Sequence, residues 1–561
     1  MAGERVWSRR MADELWSGPV TPLTYSLLAE VMAEHMAHRR LANAGLPAAA
    51  AAPVFRLHHG HVYVNASLVA EVMRELPAPV LSDGLLSLLP MEMRPGIRSG
   101  ARSVLSPAVL GTVVSLTRRE RDWMPWSRAA AFRAESERLG REIGRPVEVG
   151  TLDDVELAAR IRFLQERLGG FLDVVSWGVI YAYVFFHLTS QLLERWAGDA
   201  SGMAALLAGT EGIHTFEIHD ELRAAAEVAR HGQMLHSAVV SGGASDVAER
   251  CLHGDLGEVG ERVRSIVDRH GHRLAGRDVA CPTWRERPAA VVEILRGLLL
   301  APPHDRGSRR AESVAEARIL VDRIGAGFGG TARRAAFETC LRWCREYYAL
   351  RENMRYEADR FLALLRETAL EAGRRLQRET ALEGPDDVFF LEAGELLDAL
   401  GRTPRPAVRE TAARRRRDHE RFRDEIPPEV LLGDSSPPAV RASVPPIRQL
   451  RGTGVSPGRR SGSARVVLDV RDLESVREGD VIVARATDPS WTSSLSLGAA
   501  IVLEMGGLLS HGAIVARELG IPAVVDVARA TQLIRSGDRI EVDGTTGEVA
   551  VGGSGVSGEE S

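Results

Sequence analysis

The sequence contains no lysine, so all 71 residues in the combined lysine and arginine count are arginine. A Walker A phosphate loop, a pyridoxal phosphate Schiff base and a kinase-type phosphate site each depend on a lysine. None of these sites can be present in its standard form. We therefore predict that the chain alone neither binds nor hydrolyses ATP.

Cysteine is also scarce, with four in 561 residues. The four have no C-x-x-C spacing, which favours buried thiols over a metal site or disulfides. They are Cys251, Cys281, Cys340 and Cys344. Three neighbouring histidines, His58, His59 and His61, have no carboxylate in their local spacing. We expect no metal site.

Long hydrophobic runs are lacking too. No apolar leader opens the chain, and the longest apolar run, 174–188, is interrupted by Ser176 and His187 and is short for a membrane span. The net charge is −5, and acidic and basic residues are interspersed, which gives no nucleic-acid surface. We expect a cytoplasmic protein without a membrane or nucleic-acid partner.

The pattern of apolar residues predicts several domains. Residues 1–430 are expected to form a mainly α-helical substrate-binding domain, because apolar residues recur at three-to-four spacing. The helical stretches are 154–168, 174–196, 220–238, 289–300, 311–324 and 332–378. Residues 55–64 predict a β-hairpin. The G-x-G-x-x-G match at 325–330 follows a helix, so we interpret it as a helix–helix turn and not a dinucleotide site.

The C-terminal part has a different pattern. Residues 431–447 are rich in Pro, Gly and Ser and predict a linker. Residues 448–553 contain short β runs, which predict a separate β/α domain, and 554–561 are expected to be a disordered tail. The β runs are 464–468, 481–484, 500–503, 523–525, 539–542 and 549–551. The predicted fold class is a large mainly α-helical domain plus a C-terminal β/α domain.

The most informative stretch lies within this last domain. Gly506 and Gly507 allow backbone conformations that other residues rarely adopt. Ser510 is a residue type that often caps a helix N-terminus, and residues 513–519 predict a helix. His511 would then lie in the first turn, where free amides and the helix dipole suit a phosphate and favour a neutral imidazole. This arrangement indicates a phosphohistidine. We expect this loop–helix junction to be exposed. The structural alternative is a histidine that caps a surface helix.

Residues 506–522 resemble the signature of the phosphohistidine swivel domain. Phosphoenolpyruvate (PEP) synthase, pyruvate phosphate dikinase and rifampicin phosphotransferase share this domain. The resemblance implies that His511 carries a phosphoryl group, with Gly506, Gly507 and Ser510 binding it. Leu509 and Gly512 place this copy nearer to the rifampicin phosphotransferases.

The rest of the chain resembles the same family more weakly. Residues 18–24 (GPVTPLT) are similar to the start of its substrate-binding domain, and 350–355 (LRENMR) to a helix that faces its reaction site. The resemblance implies a catalytic Glu352 and phosphate-binding Arg351 and Arg355. The segment 270–273 (HGHR) is similar to another family motif and adds His272 and Arg273 as substrate-binding candidates.

Two departures from the family pattern matter. Arg277 stands where the family usually has an acidic residue, and no ATP-grasp domain is recognisable in the chain. We therefore expect no tightly bound cofactor, and a phosphoryl group on His511 that comes from a separate ATP-dependent ATP-grasp protein.

Three functions remain open at this stage. The first is a phosphotransferase that acts on a hydroxyl-bearing small molecule, such as a natural-product intermediate. The second is a nucleotide-independent dehydratase or cyclase that uses unphosphorylated His511 as general acid and base. The third is a small-molecule binding protein without catalysis. The first two require His511, whereas the third does not.

Overall fold

The computed structural model describes residues 4–552 with gaps. The gaps are 14, 17, 78–79, 82, 101, 104–105, 121–122, 144–146, 199–201, 209, 275, 301–305, 328, 403–407, 424, 426, 434–448, 469, 488–490, 492–494, 496 and 509. Most of the predicted linker and the predicted tail therefore lie outside the described residues.

The described residues are mainly helical up to Arg423. The α-helices there are Pro22–Met32, Arg39–Asn43, Pro47–Ala50, Ala66–Glu75, Asp83–Leu86, Arg94–Ser99, Pro107–Arg119, Pro125–Ile143, Asp154–Ala197, Met203–Leu207, His214–His231, Gln233–Ser241, Ala244–His253, Gly257–His270, Ala289–Leu300, Arg306–Ile324, Gly330–Arg378, Ala393–Gly401 and Arg409–Arg423. A π-helical segment, Ala33–His38, continues the helix Pro22–Met32. Single turns of 3₁₀-helix occur at Met91–Met93, Val149–Thr151, Pro385–Phe390 and Val470–Ser475.

The chain divides into two compact units by its contacts. Unit 1 consists of residues 1–184, 276–282 and 353–440, and unit 2 of residues 185–275, 283–352 and 441–561. The two longest helices, Asp154–Ala197 and Gly330–Arg378, contribute residues to both units. The predicted mainly α-helical region with a C-terminal β/α region is confirmed.

Unit 1 contains a four-stranded sheet among its described residues. Its order is Phe55–His58, His61–Asn65, Val6–Ser8, Val430–Leu432. The first two strands form the hairpin that the sequence predicts, and they pair in antiparallel register. The strands at Val6 and Val430 were not predicted, because each has only three residues.

The helix Pro22–Met32, here called the first helix, has a closed N-terminus. The hydroxyl of Thr21 accepts a hydrogen bond from the amide of Thr24. Asp278 accepts bonds from the hydroxyls of both threonines at 2.7 Å and from the amide of Thr21 at 2.6 Å. Asp278 follows directly on Arg277, the position where the sequence analysis found an acidic residue missing. A carboxylate is thus present at this helix end, one residue later.

Two helix boundaries differ from the prediction. Residues 154–197 form one continuous helix, where two helices separated near Gly169 and Gly170 were predicted. The glycines do not break it because packing of an apolar face outweighs their unfavourable helix propensity of about 1 kcal/mol each. Conversely, the predicted helix 220–238 is interrupted at Gly232, with helices His214–His231 and Gln233–Ser241 on either side.

The G-x-G-x-x-G segment forms the predicted helix–helix turn. One helix ends at Ile324, and the next begins at Gly330. A side chain at Gly330 would place its Cβ 1.9 Å from the carbonyl oxygen of Gly325, so this close approach requires glycine. The described residues of this turn give no indication of a dinucleotide site.

One helix among the described residues, Asp154–Ala197, is long and apolar enough to cross a membrane by length and composition alone. Within it, 56% of the most apolar window is buried inside the fold, as in the core helix of a soluble protein. The cytoplasmic location stays a prediction.

None of the four cysteines forms a disulfide in the structure. Burial raises the pKa of Cys251 to about 11 and that of Cys344 to about 12. Cys251 and Cys344 are buried as the sequence predicts, whereas Cys281 and Cys340 are partly exposed.

The β/α part of unit 2 is built on an eight-stranded sheet among the described residues. Its order is Gln449–Arg451, Glu548–Gly552, Arg539–Asp543, Arg459–Val467, Val481–Ala484, Ala500–Leu503, Ala523–Val525, Thr453–Ser456. The four strands from Arg459–Val467 to Ala523–Val525 pair in parallel. The six predicted β runs are all present as strands, with Gln449–Arg451 and Thr453–Ser456 added.

A helix connects the parallel strands Ala500–Leu503 and Ala523–Val525. This is His511–Leu519, here called the histidine helix, and Gly520 ends it in the left-handed conformation. A short helix, Ala530–Leu533, follows. Ala513, Ala516 and Leu519 pack into the apolar core on one face of the sheet. His511 thus lies beyond the carboxyl end of a parallel strand, where ligands bind in open α/β sheets.

Candidate active site

The loop before the histidine helix is held by its own hydrogen bonds. The amide of Ser510 donates to the carbonyl of Gly507 at 3.0 Å, and the Ser510 hydroxyl donates to the same oxygen at 2.9 Å. Arg517, from the last turn of the helix, donates to the carbonyl of Leu508 at 2.6 Å. Gly506 has a φ of +120°, which only glycine adopts readily. The loop is therefore a defined structure, although it contains two glycines.

The structure corrects one local prediction. Ser510 occupies the N-cap position with an extended backbone, but its side chain makes no capping bond to the helix. Its hydroxyl is already used by the carbonyl of Gly507. The first amides of a helix have no acceptor within the helix. The start of the histidine helix is consequently left open by the residue that should cap it.

His511 is buried, with 3% of its surface exposed. The predicted exposure of this loop–helix junction is therefore wrong. The Nδ1 atom of His511 lies 3.4 Å from Oε2 of Glu352, whose exposure is 2%. Both residues belong to unit 2, although 159 residues separate them. A structural histidine on a surface helix is therefore excluded.

Two further predicted site residues, both arginines, lie on the helix Gly330–Arg378. Arg351 is 4% exposed, and its Nη1 lies 3.6 Å from Oε1 of Glu352. Arg355 is 6% exposed and follows one turn later on the same helix face, in unit 1. Burying cations costs free energy unless they are paired, so this placement is unusual for a surface ion-pair ladder. The structure brings His511, Glu352 and Arg351 together.

His272 and Arg273 lie just beyond the end of the helix Gly257–His270. Arg273 is buried, its amide donates to the carbonyl of His270, and its carbonyl accepts from the amide of Trp284. Burial lowers the pKa of the neighbouring His270 imidazole, an effect that the carboxylate of Glu221 opposes. The substrate-binding roles of His272 and Arg273 stay predictions.

Unit 1 contains a pocket of its own. It has a volume of about 540 Å³ and is lined mainly by the first helix, the hairpin at 55–65 and the helix Arg409–Arg423. Phe55, Leu57 and Phe422 supply apolar walls, and Tyr25 and His419 supply polar groups. Burial raises the pKa of the Tyr25 phenol, with a smaller contribution from Glu30, and lowers that of the His419 imidazole. Pockets of this size bind small organic molecules.

Over the described residues, no group of three or more histidine, cysteine or acidic side chains could hold a metal ion. In the His58, His59 and His61 cluster, His59 stacks between His58 and Phe422 and contacts Glu425. These contacts give His59 a packing role.

Two parts of the chain match models of known protein families. Residues 476–547 match the mobile domain of PEP-utilising enzymes, and residues 174–352 match the fourth domain of rifampicin phosphotransferase. His511 and Glu352 each fall within one of these matches. In these two regions the chain is similar to rifampicin phosphotransferases and to other PEP-utilising enzymes.

Individual relatives are similar over longer stretches of the chain. A rifampicin phosphotransferase of a Streptomyces species is 34% identical over 370 residues, which cover 64% of this chain and 42% of the relative. The rifampicin phosphotransferase of Bacillus subtilis is 27% identical over 299 residues, 52% of this chain and 34% of the relative. A chondramide synthase of Chondromyces crocatus is 30% identical over 308 residues, 50% of this chain and 8% of that protein. The chain thus spans less than half the length of these rifampicin phosphotransferase-like relatives.

Proposed function

We propose that this chain is a phosphotransferase-like enzyme that passes a phosphoryl group from His511 to a hydroxyl group of a small molecule. The observation that carries the proposal is the contact between the buried His511 and Glu352, at the open start of the histidine helix. Rifampicin phosphotransferases among the relatives support the reaction class.

The geometry suggests which nitrogen reacts. Nδ1 of His511 faces the Glu352 carboxylate at 3.4 Å, so a proton on Nδ1 is donated to Glu352. This tautomer leaves the lone pair on Nε2 for phosphorus. Glu352 therefore orients the ring, and Nε2 is the atom that would carry the phosphoryl group.

Transfer to the substrate can then be written so that atoms balance. The substrate oxygen attacks phosphorus, the bond between phosphorus and Nε2 breaks, and a phosphate ester and neutral His511 result. The hydroxyl proton is released to solvent, while Glu352 keeps the hydrogen bond from Nδ1 of the departing imidazole. Arg351 neutralises charge on the phosphoryl oxygens, a role that the sequence also predicts for Arg355. Gly506, Gly507 and Ser510 shape the loop that precedes the phosphorylated residue.

The identities of the phosphoryl donor and of the substrate are also proposals. A chain without lysine favours a donor outside these 561 residues, and we propose a separate ATP-grasp protein. The unit 1 pocket offers a place for a small molecule with an apolar body. A related segment in a chondramide synthase favours a natural-product intermediate as substrate.

The same contact also allows a second function. Unphosphorylated His511, paired with Glu352, could act as general acid and base in a dehydration or cyclisation. The two functions differ in one observable, because only the first requires a covalent phosphoryl group.

The test combines mass measurement and transfer. The chain is incubated with ATP, with ATP plus a candidate ATP-grasp protein, or with PEP, and its intact mass is measured without acid. We expect a gain of one phosphoryl group in the presence of the partner, no gain in His511→Asn, and loss of the group when a hydroxyl acceptor is added. Turnover of a substrate by a chain that never gains mass would overturn the phosphotransferase proposal and favour the dehydratase.

A further inference from the structure

Thr487 has no role in the mechanism above, but its hydroxyl lies next to the histidine helix. It follows closely on the strand Val481–Ala484, and only 7% of its surface is exposed. Its hydroxyl oxygen is fully buried and has no hydrogen-bond partner among the described residues. Leaving a buried hydroxyl without a partner costs about 1–3 kcal/mol. Such a group in a folded protein calls for an explanation.

The glycine at position 512 shows where this hydroxyl points. A Cβ atom added to Gly512 would lie 2.7 Å from Oγ1 of Thr487 and 2.4 Å from Cδ1 of Leu503. The hydroxyl is therefore packed against the first turn of the histidine helix, next to the residue that follows His511. Glycine at 512 is what allows this approach.

Two independent features now meet at one place. The histidine helix, nine residues long, begins without a side-chain cap from Ser510, and the N-terminus of a helix favours an anion. The buried Thr487 hydroxyl, which has no partner among the described residues, lies against that same turn. The helix N-terminus and the hydroxyl can both donate hydrogen bonds, and a phosphoryl group offers several strong acceptor oxygens.

We propose that Thr487 donates a hydrogen bond to the phosphoryl group on His511, together with the open amides of the histidine helix. The inference rests on the proposed phosphohistidine and adds a binding residue to that site. Hydrogen bonds to charged groups are stronger than neutral ones, and removing one is expected to slow phosphorylation about 10- to 100-fold.

A purely structural role for Thr487 makes the opposite prediction. Thr487→Val keeps the shape of the side chain and removes only the hydroxyl. If the hydroxyl had no function, this substitution would stabilise the fold or leave it unchanged, and phosphorylation would proceed normally. Thr487→Ser keeps the hydroxyl and loses one methyl group, so it is the matched control.

The test uses the full chain and phosphoramidate, a small chemical donor that needs no partner protein. Uptake of phosphoryl by His511 is followed by intact mass at neutral pH for the wild type, Thr487→Val, Thr487→Ser and His511→Asn. We expect uptake by Thr487→Val to be at least about tenfold slower. We expect uptake by Thr487→Ser within about threefold of the wild type, and none by His511→Asn. Thermal unfolding midpoints confirm that each variant is folded.

The outcomes distinguish a failure of the role of Thr487 from a failure of the proposed phosphohistidine. Equal uptake by Thr487→Val and the wild type would overturn the role of Thr487 and leave the phosphohistidine standing. Loss of uptake in Thr487→Ser as severe as in Thr487→Val would also overturn it, because the hydroxyl is present in the serine variant. No uptake by the wild type would overturn both the proposed function and this inference.

Discussion

Two helices in this protein begin in opposite ways. At the first helix, the Thr21 hydroxyl accepts from the Thr24 amide, and Asp278 accepts from both threonine hydroxyls. At the histidine helix, Ser510 turns its hydroxyl back to the carbonyl of Gly507 and caps nothing. Both sequences carry a good capping residue at the same place, so the residue type alone does not decide the outcome.

The difference separates a helix end that stabilises the fold from one that is ready for a ligand. A closed end satisfies its donors within the protein, and a capping interaction of this kind stabilises by about 0.5–2 kcal/mol. An open end leaves donors directed at an anion. At the open end the protein also buries a histidine and a hydroxyl, which is costly unless they serve another purpose.

The largest effect is expected at the open end. His511→Asn removes the atom that carries the phosphoryl group and should lower phosphoryl transfer by at least about 1,000-fold. The unfolding midpoint should change little, because asparagine can keep a hydrogen bond to Glu352. Intact mass and turnover of the substrate measure the effect. Normal turnover by this variant would show that the open end is not the reaction site.

Removing the charge beside His511 should have the next largest effect. Glu352→Gln is expected to lower phosphoryl transfer about 10- to 1,000-fold, because the ring loses the carboxylate that orients it. The rate and its pH profile are measured. Glu338→Gln is the matched control, since Glu338 is exposed on the same helix and pairs with Arg334. An equal effect of both substitutions would contradict a specific role for Glu352.

At the closed end the expected effect is on stability. Asp278→Ala removes the acceptor of several hydrogen bonds and should lower the free energy of unfolding by about 2–4 kcal/mol. Urea unfolding, followed by a probe in unit 1, measures the change. Phosphorylation of His511 in the folded variant should be unchanged. A variant as stable as the wild type would show that Asp278 does not close this helix.

The smallest effects on stability are expected when the two capping residues are substituted. Thr21→Ala should destabilise by about 1–2 kcal/mol, because an N-cap bond and a bond to Asp278 are lost. Ser510→Ala should cost about 0.5–1 kcal/mol, since only the bond to Gly507 is lost. The two midpoints are measured under the same conditions. A greater cost at Ser510 than at Thr21 would reverse the comparison.

Local sequence patterns predicted much of this fold. The runs 481–484, 500–503 and 523–525 are buried parallel strands with the predicted bounds, because buried strands are short and almost wholly apolar. The histidine helix ends at Gly520 as expected. Such features depend on neighbouring residues, and the sequence shows them directly.

What the sequence could not show depends on distant residues. The contact between Glu352 and His511 joins residues 159 apart, and only the family resemblance pointed to both. The orientation of the Ser510 hydroxyl and the approach of Thr487 to Gly512 are set by the loop and by packing against the sheet. The continuous helix through Gly169 and Gly170 likewise reflects tertiary packing over local propensity.

The most direct test of the account is the site at which the chain is phosphorylated. The full chain is treated with phosphoramidate, digested without acid, and the modified residue and ring nitrogen are assigned by mass spectrometry and phosphorus NMR. The account predicts one acid-labile phosphoryl group on Nε2 of His511. Phosphorylation at another of the 16 histidines, at Nδ1 of His511, or at none would contradict it.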